Sequence, residues 1–498
     1  MIAKRRLPRK LGCVAALAVA ASACAPTPRL QVAPEVLSAE WRARPPVGTV
    51  PSPFPDNLGR ALGSAELEQL ITRALAANAD LGIAAARIGQ ARAQLRLARA
   101  EMLPVVSASA GLAGSRAGGG GVKPFDFNEG YAGLDVAFEI DLFGRLGAGK
   151  RSARARYMAA TLDREALALV VQGDVARAFV QHSALSQRLG LLDRNIGQAR
   201  ELLRIIEVRH RLGEATRVDT GLQTIQLRQL EVERERLLEA RSRTVNALAA
   251  LVGEEAPLFA MAEADLSALK VPALSPAQPA DLLVRRPDIL AAEARITAAK
   301  GDIQQARAAF LPRLRLSVSG IAESGTLGGP LGTVITAGLG LLAPIFDRAR
   351  LRGNLDMASA VQVESVELYR KALLTALGEA EDALEAVERS RAREALLDTI
   401  VLEAVTTARL ARLQYVEGAA DLQWVLDAEQ RLVQAEDARA IAQQERLDAA
   451  IDLYRALGGP PASPLLRHAS GRMGGVDPPE SGKGNAPTHG EPGRRLDR

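Results

Sequence analysis

An internal duplication constrains this chain more than any other feature of its sequence. Segment 85–104, AARIGQARAQLRLARAEMLP, returns as segment 293–312, EARITAAKGDIQQARAAFLP, with nine identical residues at a constant offset of 208. Near the end of each half, Gly213 matches Gly418 and Gly253 matches Gly458, both at an offset of 205. We therefore expect two similar units over residues 63–253 and 281–459, separated by a proline-containing linker over 254–280.

Each half begins with a helical pattern that gives way to alternating residues. The predicted first helices, Ser64–Met102 and Asp281–Phe310, are each followed by Leu-Pro, which stops a helix. Apolar and polar residues then alternate over Tyr131–Phe143 and Arg313–Ala322, as in half-buried strands. Glycine-rich segments at 118–130 and 324–332 are expected to be loops, so that each half contributes two strands as a hairpin.

Very long helices follow the predicted hairpins. The patterns span about 65 residues in the first half and about 70 in the second, from Leu146 to Leu212 and from Arg348 to Glu417. Each helix would be roughly 100 Å long. Coiled-coil spacing is shown by Leu185, Leu189, Leu192, Ile196, Ala199, Leu203 and Ile206. Return helices are predicted to begin near Thr216 and Leu422.

The four strands have the length of tilted membrane-spanning β-segments, roughly ten residues each. Four strands cannot close a barrel by themselves. Two arrangements remain open at this point: the sheet packs on something else, or several copies of the chain close one barrel together. A soluble helical rod would explain the helices but would give the strands no role.

The N-terminus carries an export signal over residues 1–23, with five cations before an apolar run. Ala21-Ser22-Ala23-Cys24 resembles the lipobox of bacterial lipoproteins, which implies N-acyl and S-diacylglycerol lipids, palmitate among them, on Cys24. Ala25 is not the aspartate that favours inner-membrane retention, so sorting to the outer membrane is expected. An extended, proline-rich leader over 24–62 and a disordered tail over 460–498 complete the predicted organisation.

Composition excludes a nucleic-acid-binding role. The chain has 63 basic and 58 acidic residues, and loss of the five signal cations leaves the two charges balanced. With Cys13 in the signal, the mature chain keeps one cysteine, Cys24, and can form no internal disulfide.

Enzyme motifs are weak. Gly144–Lys150 fits the first seven positions of a phosphate-binding loop, but Arg151 stands where a hydroxyl should bind magnesium. The four histidines are dispersed without metal-ligand spacing, and no nucleophile–base set is evident. We therefore predict no enzyme activity, no catalytic residues, no metal site and no cofactor other than the lipid.

Four further segments carry a family resemblance. LLVRRPDILAAEARI (282–296), AFEIDLFGRL (137–146), LAPIFDRARLRGN (342–354) and YVEGAADLQWVLDAEQRL (415–432) resemble the outer membrane factors, TolC-like efflux proteins, in their OprM/NodT lipoprotein branch. The resemblance covers about residues 60–460. It implies a mixed fold: a homotrimer whose protomers give four strands each to a 12-stranded transmembrane β-barrel, continued by a periplasmic α-helical coiled-coil barrel.

The same resemblance implies the function and the partners. Such a protein is the outer-membrane exit duct of a tripartite efflux or export system. It passes drugs, toxic compounds or metal ions from an inner-membrane pump, here expected to be of the resistance-nodulation-division type, through a periplasmic adaptor. The remaining alternative is a lipid-anchored periplasmic coiled-coil adaptor or scaffold, with its strands in a soluble β-domain.

Aperture residues of the family match the second hairpin tip in part. Tyr415 and Gly418 form its Tyr-x-x-Gly, and Asp427 matches the second of two ring aspartates. The first ring aspartate falls on Trp424, and the arginine that ties the tip falls on Ala420.

The first tip gives two further candidates. Gly213 keeps the turn, and Asp219 occupies the position that corresponds to Trp424. Rings of Asp219 or Asp427 could attract cations and narrow the duct, although each could equally be a solvated helix charge. The tips at Gly213 and Gly418 are the expected adaptor-docking points.

Overall fold

The computed structural model describes residues 40–42, 57–119, 122–262, 264–272, 274, 278–324 and 330–460. Within these residues the same order of elements occurs twice, which agrees with the duplication. The first set comprises α1 (Leu58–Ala61), α2 (Ala65–Ala77), α3 (Ala79–Ala100), β1 (Val105–Gly119), β2 (Val122–Ile140), α4 (Arg145–Arg211) and α5 (Arg217–Val252). The second comprises α6 (Leu282–Arg285), α7 (Pro287–Ala308), β3 (Arg313–Ser324), β4 (Gly332–Leu342), α8 (Arg348–Val416) and α9 (Leu422–Ala456).

The first helix of the first half is broken at Asn78, so the prediction of one helix over Ser64–Met102 is wrong. Asn78 has ψ of 129°, and its side chain accepts hydrogen bonds from the N–H groups of Asp80 and Leu81 at 3.0 and 3.2 Å. Its amide also donates to the carbonyl of Leu251 at 3.0 Å. A tertiary hydrogen bond at the end of α5 thus helps to fix the break.

The corresponding helix of the second half is broken as well. The prediction of one helix over Asp281–Phe310 fails at Arg286, whose backbone is extended (ψ 117°) and which separates α6 from α7. Pro287 is the first residue of α7, and proline disfavours the helical conformation of the residue before it.

The four strands form one antiparallel sheet in the order β1-β2-β3-β4. The two halves meet at the β2–β3 pairing, which runs from Gly130 opposite Ser324 to Ile140 opposite Leu314. Register gives the sheet one apolar face, on which Val136 lies opposite Val318. The other face carries pairs such as Glu139 opposite Arg315. The predicted alternation is therefore confirmed, and within the described chain the outer edges of β1 and β4 pair with no further strand.

The predicted loop at 118–130 is wrong, because β2 already begins at Val122. Ala117 pairs with Phe125 and Gly114 with Asn128 along a continuous ladder. Val122 and Phe125 favour extended backbone, and glycines in a strand do not prevent pairing. In the second half, Ser324 and Gly332 belong to strands, whereas Pro330 and Leu331 lie in neither a strand nor a helix; residues 325–329 of that predicted loop lie outside the described residues.

The long helices α4 and α8 contain 67 and 69 residues, which corresponds to roughly 100 Å each. Each returns through a tight tip into α5 or α9. The predicted heptad residues of α4, apart from Ile206, pack with Leu227, Leu230 and Leu237 of α5. None of the helices in the described part of the chain is long and apolar enough to cross a membrane.

The largest apolar core lies where the short helices cross the long ones. Phe179 and Tyr454 are fully buried there, and Trp41 of the leader packs against this core. The predicted linker contributes Phe259 and Leu266 to it, so its described part is packed rather than free. Residues 58–61 of the predicted extended leader are helical. The predicted signal 1–23, Cys24, most of the leader and the tail from 461 lie outside the described residues.

Candidate functional site at the helical hairpin tips

Two glycines make the turns at the tips. Gly213 and Gly418 have φ of 81° and 76°, a left-handed conformation that costs glycine little. Behind them, the N–H of Glu214 donates to the carbonyl of Arg209 and that of Ala419 to the carbonyl of Gln414, both at 2.8 Å. These bonds close a helix C-terminus in the Schellman manner. The two halves thus end their long helices in the same way.

Asp219 caps the return helix of the first half. Its Oδ2 accepts hydrogen bonds from the N–H of Thr216 at 2.7 Å and from its hydroxyl at 2.8 Å. The hydroxyl of Thr216 accepts in turn from the N–H of Asp219 at 3.2 Å. This capping box fixes the carboxylate at the start of α5, and Oδ1 accepts no hydrogen bond from a described residue.

Arg209 connects the two tips. Its guanidinium, at the end of α4, donates to the carbonyls of Tyr415 and Val416 at 3.1 and 2.7 Å. The guanidinium carbon also lies 4.7 Å from the centre of the Tyr415 ring. A cation at the last carbonyls of α8 is favourable for that helix, so one side chain joins both hairpins.

Tyr415 is buried beneath this connection. It packs in a small apolar core with Ile206 of α4 and Val425 of α9. Below it, Arg412 of α8 forms an ion pair with the buried Glu429 of α9. The second tip is therefore held by packing, by an intra-hairpin ion pair and by Arg209.

Asp427 lies on the wall of an open groove between α8 and α9. The groove has a volume of about 1020 Å³ and is also lined by Trp424, Ile400 and Glu403. Asp427 accepts a hydrogen bond from Arg431 at 2.9 Å, and Trp424 is largely exposed. An exposed indole next to a paired carboxylate makes this groove less acidic than two aspartates would.

The predicted aperture residues are thus brought together only in part. Tyr415 meets the first tip through Arg209, whereas Asp219 and Asp427 bond to residues of their own helices. The sequence did not single out Arg209, because the family pattern places the arginine that ties the tip at position 420. The only local signal was the cluster of basic residues in the last turn of α4.

Arg286 of the Arg-Arg-Pro-Asp-Ile segment lies far from the tips, at the main core. It donates two hydrogen bonds to Asp288, at 3.1 and 2.8 Å, and others to Glu379 at 2.7 Å and to the carbonyl of Ala456 at 3.2 Å. Burial opposes its charge, but the carboxylates outweigh burial and raise the pKa of Arg286. The segment therefore joins α7, α8 and the end of α9.

Asp448 of α9 is a buried carboxyl near Arg177 of α4. Burial raises the pKa of Asp448 to about 6, although a hydrogen bond from Gln444 and the charge of Arg177 oppose the rise. Its Oδ1 is shielded from solvent and has no hydrogen-bond partner among the described residues. This acid titrates within the helical bundle rather than at a tip.

The segment that resembles a phosphate-binding loop is closed by the protein itself. Asp141 accepts hydrogen bonds from the N–H groups of Leu146 and Gly147, at 3.0 and 2.7 Å, where a phosphate would bind. A Cβ on Gly149 would approach Gln305 of α7 to 3.1 Å. The glycines therefore serve a strand-to-helix turn and close helix packing. In the described residues, no group of three or more acidic, histidine or cysteine side chains is placed to hold a metal ion.

Comparisons with known proteins agree with this architecture. The family model for outer membrane efflux proteins matches residues 70–254 and 279–459. The chain is 35% identical over 474 residues to the pyoverdine export outer membrane protein OpmQ of Pseudomonas putida, covering 91% of this chain and 98% of that protein. It is 30% identical to the toluene efflux pump outer membrane protein TtgF of the same species, over 89% of this chain and 95% of that one. A structure of the outer-membrane channel OprN matches with a TM-score of 0.80 at 27% identity, over 87% and 98% of the two chains.

Proposed function

The chain belongs to the outer membrane efflux protein family, and on that premise we propose how its tips control the duct that it forms. It is the outer-membrane channel of a tripartite efflux system and acts with a periplasmic adaptor and an inner-membrane pump. Three copies form one β-barrel, four strands from each, continued by a helical barrel in the periplasm. Members of the family are channels rather than enzymes. The apolar face of the sheet meets lipid and the polar face lines the pore.

We propose that the Arg209 connection between the tips holds the periplasmic end closed. It is the observation that carries the proposal, because it joins the ends of both long helices through one half-buried side chain. Asp219 and Asp427 then contribute carboxylates to the cation-attracting entrance, and Gly213 and Gly418 mark where the adaptor docks. The two hairpins can separate only if the hydrogen bonds of Arg209 break. A docked adaptor that opens the duct must therefore overcome these bonds.

Planar-bilayer recording of the purified trimer tests this function. The wild-type protein should form pores that prefer cations. Asp219→Ala with Asp427→Ala should keep the pore and reduce that preference, because two carboxylates per protomer are lost at the entrance. Glu364→Ala with Glu367→Ala, two exposed carboxylates of α8 near its membrane end, is the matched control. Absence of any pore would contradict the channel function. An equal loss of cation preference in the two double variants would contradict the placement of Asp219 and Asp427 at the entrance.

A separate proposal concerns the type of pump and the class of compound that passes through the duct. The names of OpmQ and TtgF indicate pyoverdine export for the first protein and toluene efflux for the second. We propose that this duct likewise passes small compounds, whether drugs, toxic molecules or metal ions, from a pump of the resistance-nodulation-division type. Coexpression with such a pump and its adaptor should lower dye accumulation in cells that lack their own duct. Unchanged accumulation beside an abundant, folded trimer would argue against that pump type.

We propose further that Cys24 carries the lipid implied by its lipobox. Cys24→Ser should abolish labelling by a palmitate analogue while the β-barrel keeps the protein in the outer membrane. The scaffold alternative predicts release into the periplasm instead, since a lipid would be its only anchor. The names of the relatives, all outer-membrane proteins, favour the channel.

A further inference from the structure

Charge is distributed unevenly along the helices just below the sheet. The membrane-proximal band comprises about three helical turns next to the strands, residues 92–102, 145–156, 300–310 and 347–356. It contains thirteen Lys and Arg residues and four Asp and Glu residues. The next three turns, residues 80–91, 157–168, 287–299 and 357–368, contain three basic and seven acidic residues. In a chain whose total charge is nearly balanced, this reversal is a strong local pattern.

The band lies at one end of the sheet. Arg313 pairs with Leu342, and Ile140 pairs with Leu314, so the strands that enter and leave the helices end at the same level. At 1.5 Å per residue, the band extends about 16 Å from that level. Its charges therefore lie within one or two Debye lengths of the membrane surface.

Several basic side chains of the band form no hydrogen bond or ion pair within the described part of the chain. Arg145 binds Glu139 and Arg156 binds Asp302. In contrast, Arg96, Arg99, Arg348 and Arg352 are exposed and form no hydrogen bond or ion pair with any described residue. Within one copy of the chain, these four guanidinium groups, on α3 and α8, are therefore available to an external anion.

Exposed apolar side chains adjoin these arginines. Phe346 is 99% exposed and Ile345 77% exposed, directly between β4 and α8. Phe143 is 45% exposed between β2 and α4, at the corresponding point of the first half. Aromatic residues are rare in this chain, at 3%. Aromatic side chains at such a boundary prefer the headgroup level of a bilayer, and they would have no favourable surroundings in a water-filled duct.

We propose that the membrane-proximal band binds the phosphate groups of anionic phospholipids in the periplasmic leaflet of the outer membrane. Arginine forks suit phosphate oxygens, and the phenylalanines reach the acyl boundary beside them. The inference rests on the outer-membrane placement stated above but goes beyond the channel function. It gives the barrel a preferred depth, because the acidic turns that follow the band are repelled by the same headgroups.

Electron paramagnetic resonance with spin-labelled lipids tests the proposal on the full-length trimer. The protein is reconstituted in phosphatidylethanolamine bilayers, and the association of labelled phosphatidylglycerol is compared with that of labelled phosphatidylethanolamine. The wild-type trimer should prefer phosphatidylglycerol several-fold. Replacement of Arg96, Arg99, Arg348 and Arg352 by Gln should bring the ratio close to one, since each cation near the surface contributes about a fivefold preference at most. High salt should reduce the wild-type ratio.

The matched control replaces four exposed arginines far from the membrane, Arg194, Arg211, Arg391 and Arg409, by Gln; none of them bonds to another described residue through its side chain. This variant should keep the wild-type ratio. The proposal is overturned if the wild-type ratio is one, if the band variant keeps its preference, or if both variants lose it equally. A band variant that changes only the anion selectivity of the pore would place the arginines in the duct and would also overturn it. Pore conductance in the same samples reports separately on the channel function.

Discussion

Replacement of Arg209 by Ala should open the duct at its periplasmic end. The substitution removes two hydrogen bonds to carbonyls of α8, at 3.1 and 2.7 Å, and a cation–π contact with Tyr415. At about 0.5–1 kcal/mol for each of the three in a half-buried setting, the loss is about 2 kcal/mol per protomer. A difference of this size shifts the closed-to-open equilibrium of one protomer about thirtyfold.

Single-channel recording measures that shift as an increase in open probability without adaptor. Arg209→Lys should give an intermediate result, because an ammonium keeps the charge but cannot bridge two carbonyls in the same fork geometry. The matched control is Arg204→Ala, about one turn away on the same helix. Arg204 is exposed, and its one partner in the described part of the chain is Glu201 of its own helix, at 2.6 Å.

An Arg209→Ala trimer that assembles normally and opens no more often than the wild-type protein would contradict the closing role of Arg209. Equal opening by Arg204→Ala would refute it as well, because general loss of positive charge near the tip would then explain the effect. Thermal unfolding of each variant shows whether the trimer itself is intact.

The remaining predictions concern stability, measured by thermal unfolding of the detergent-solubilised trimer. Gly213→Ala and Gly418→Ala should each cost about 1–2 kcal/mol because of their positive φ, whereas Gly221→Ala, inside α5 with open space around it, should stabilise slightly. Arg286→Ala should cost about 1–3 kcal/mol, since it removes the hydrogen bonds of a buried guanidinium to two half-exposed carboxylates and to the carbonyl of Ala456; a loss below about 0.5 kcal/mol would contradict that role. The raised pKa of Asp448 means that the folded protein holds this proton up to about pH 6, so stability falls by about 2–3 kcal/mol between pH 4 and pH 6. Asp448→Asn should remove that fall in stability. The variant should therefore be more stable than the wild-type protein at pH 6 and about equally stable near pH 4.

Local patterns predicted most of the fold. The sequence periods of the long helices and strands reflect which face of each element is buried, and this information lies within a few residues. The Leu-Pro stops and the tip glycines were equally local. The register of β2 against β3 then confirmed which residues share a face, as the alternation around Val136 and Val318 had indicated.

The features that sequence reasoning missed depend on distant partners. The break at Asn78 is fixed in part by the carbonyl of Leu251, which lies 173 residues away. The start of β2 at Val122 depends on pairing with β1, in which Gly119 lies opposite Val122. The basic cluster at the end of α4 does not show which arginine joins the tips, because the partners of Arg209 belong to the other half of the chain. The sequence therefore indicated which residues lie at the tips, but only some of the contacts that they make.

The sheet has a consequence for how the protein is made. Its central pairing joins residues 174 to 194 positions apart, from Ile140 with Leu314 to Gly130 with Ser324, so the sheet cannot form until most of the chain has been synthesised. Even then β1 and β4 present open edges with an apolar face, which is a template for aggregation as well as for assembly. A single copy in the periplasm is therefore a hazard that chaperones must cover until two others arrive. The yield of channel should depend on the third power of free-chain concentration, and modest overexpression should favour aggregates when chaperone capacity is exceeded.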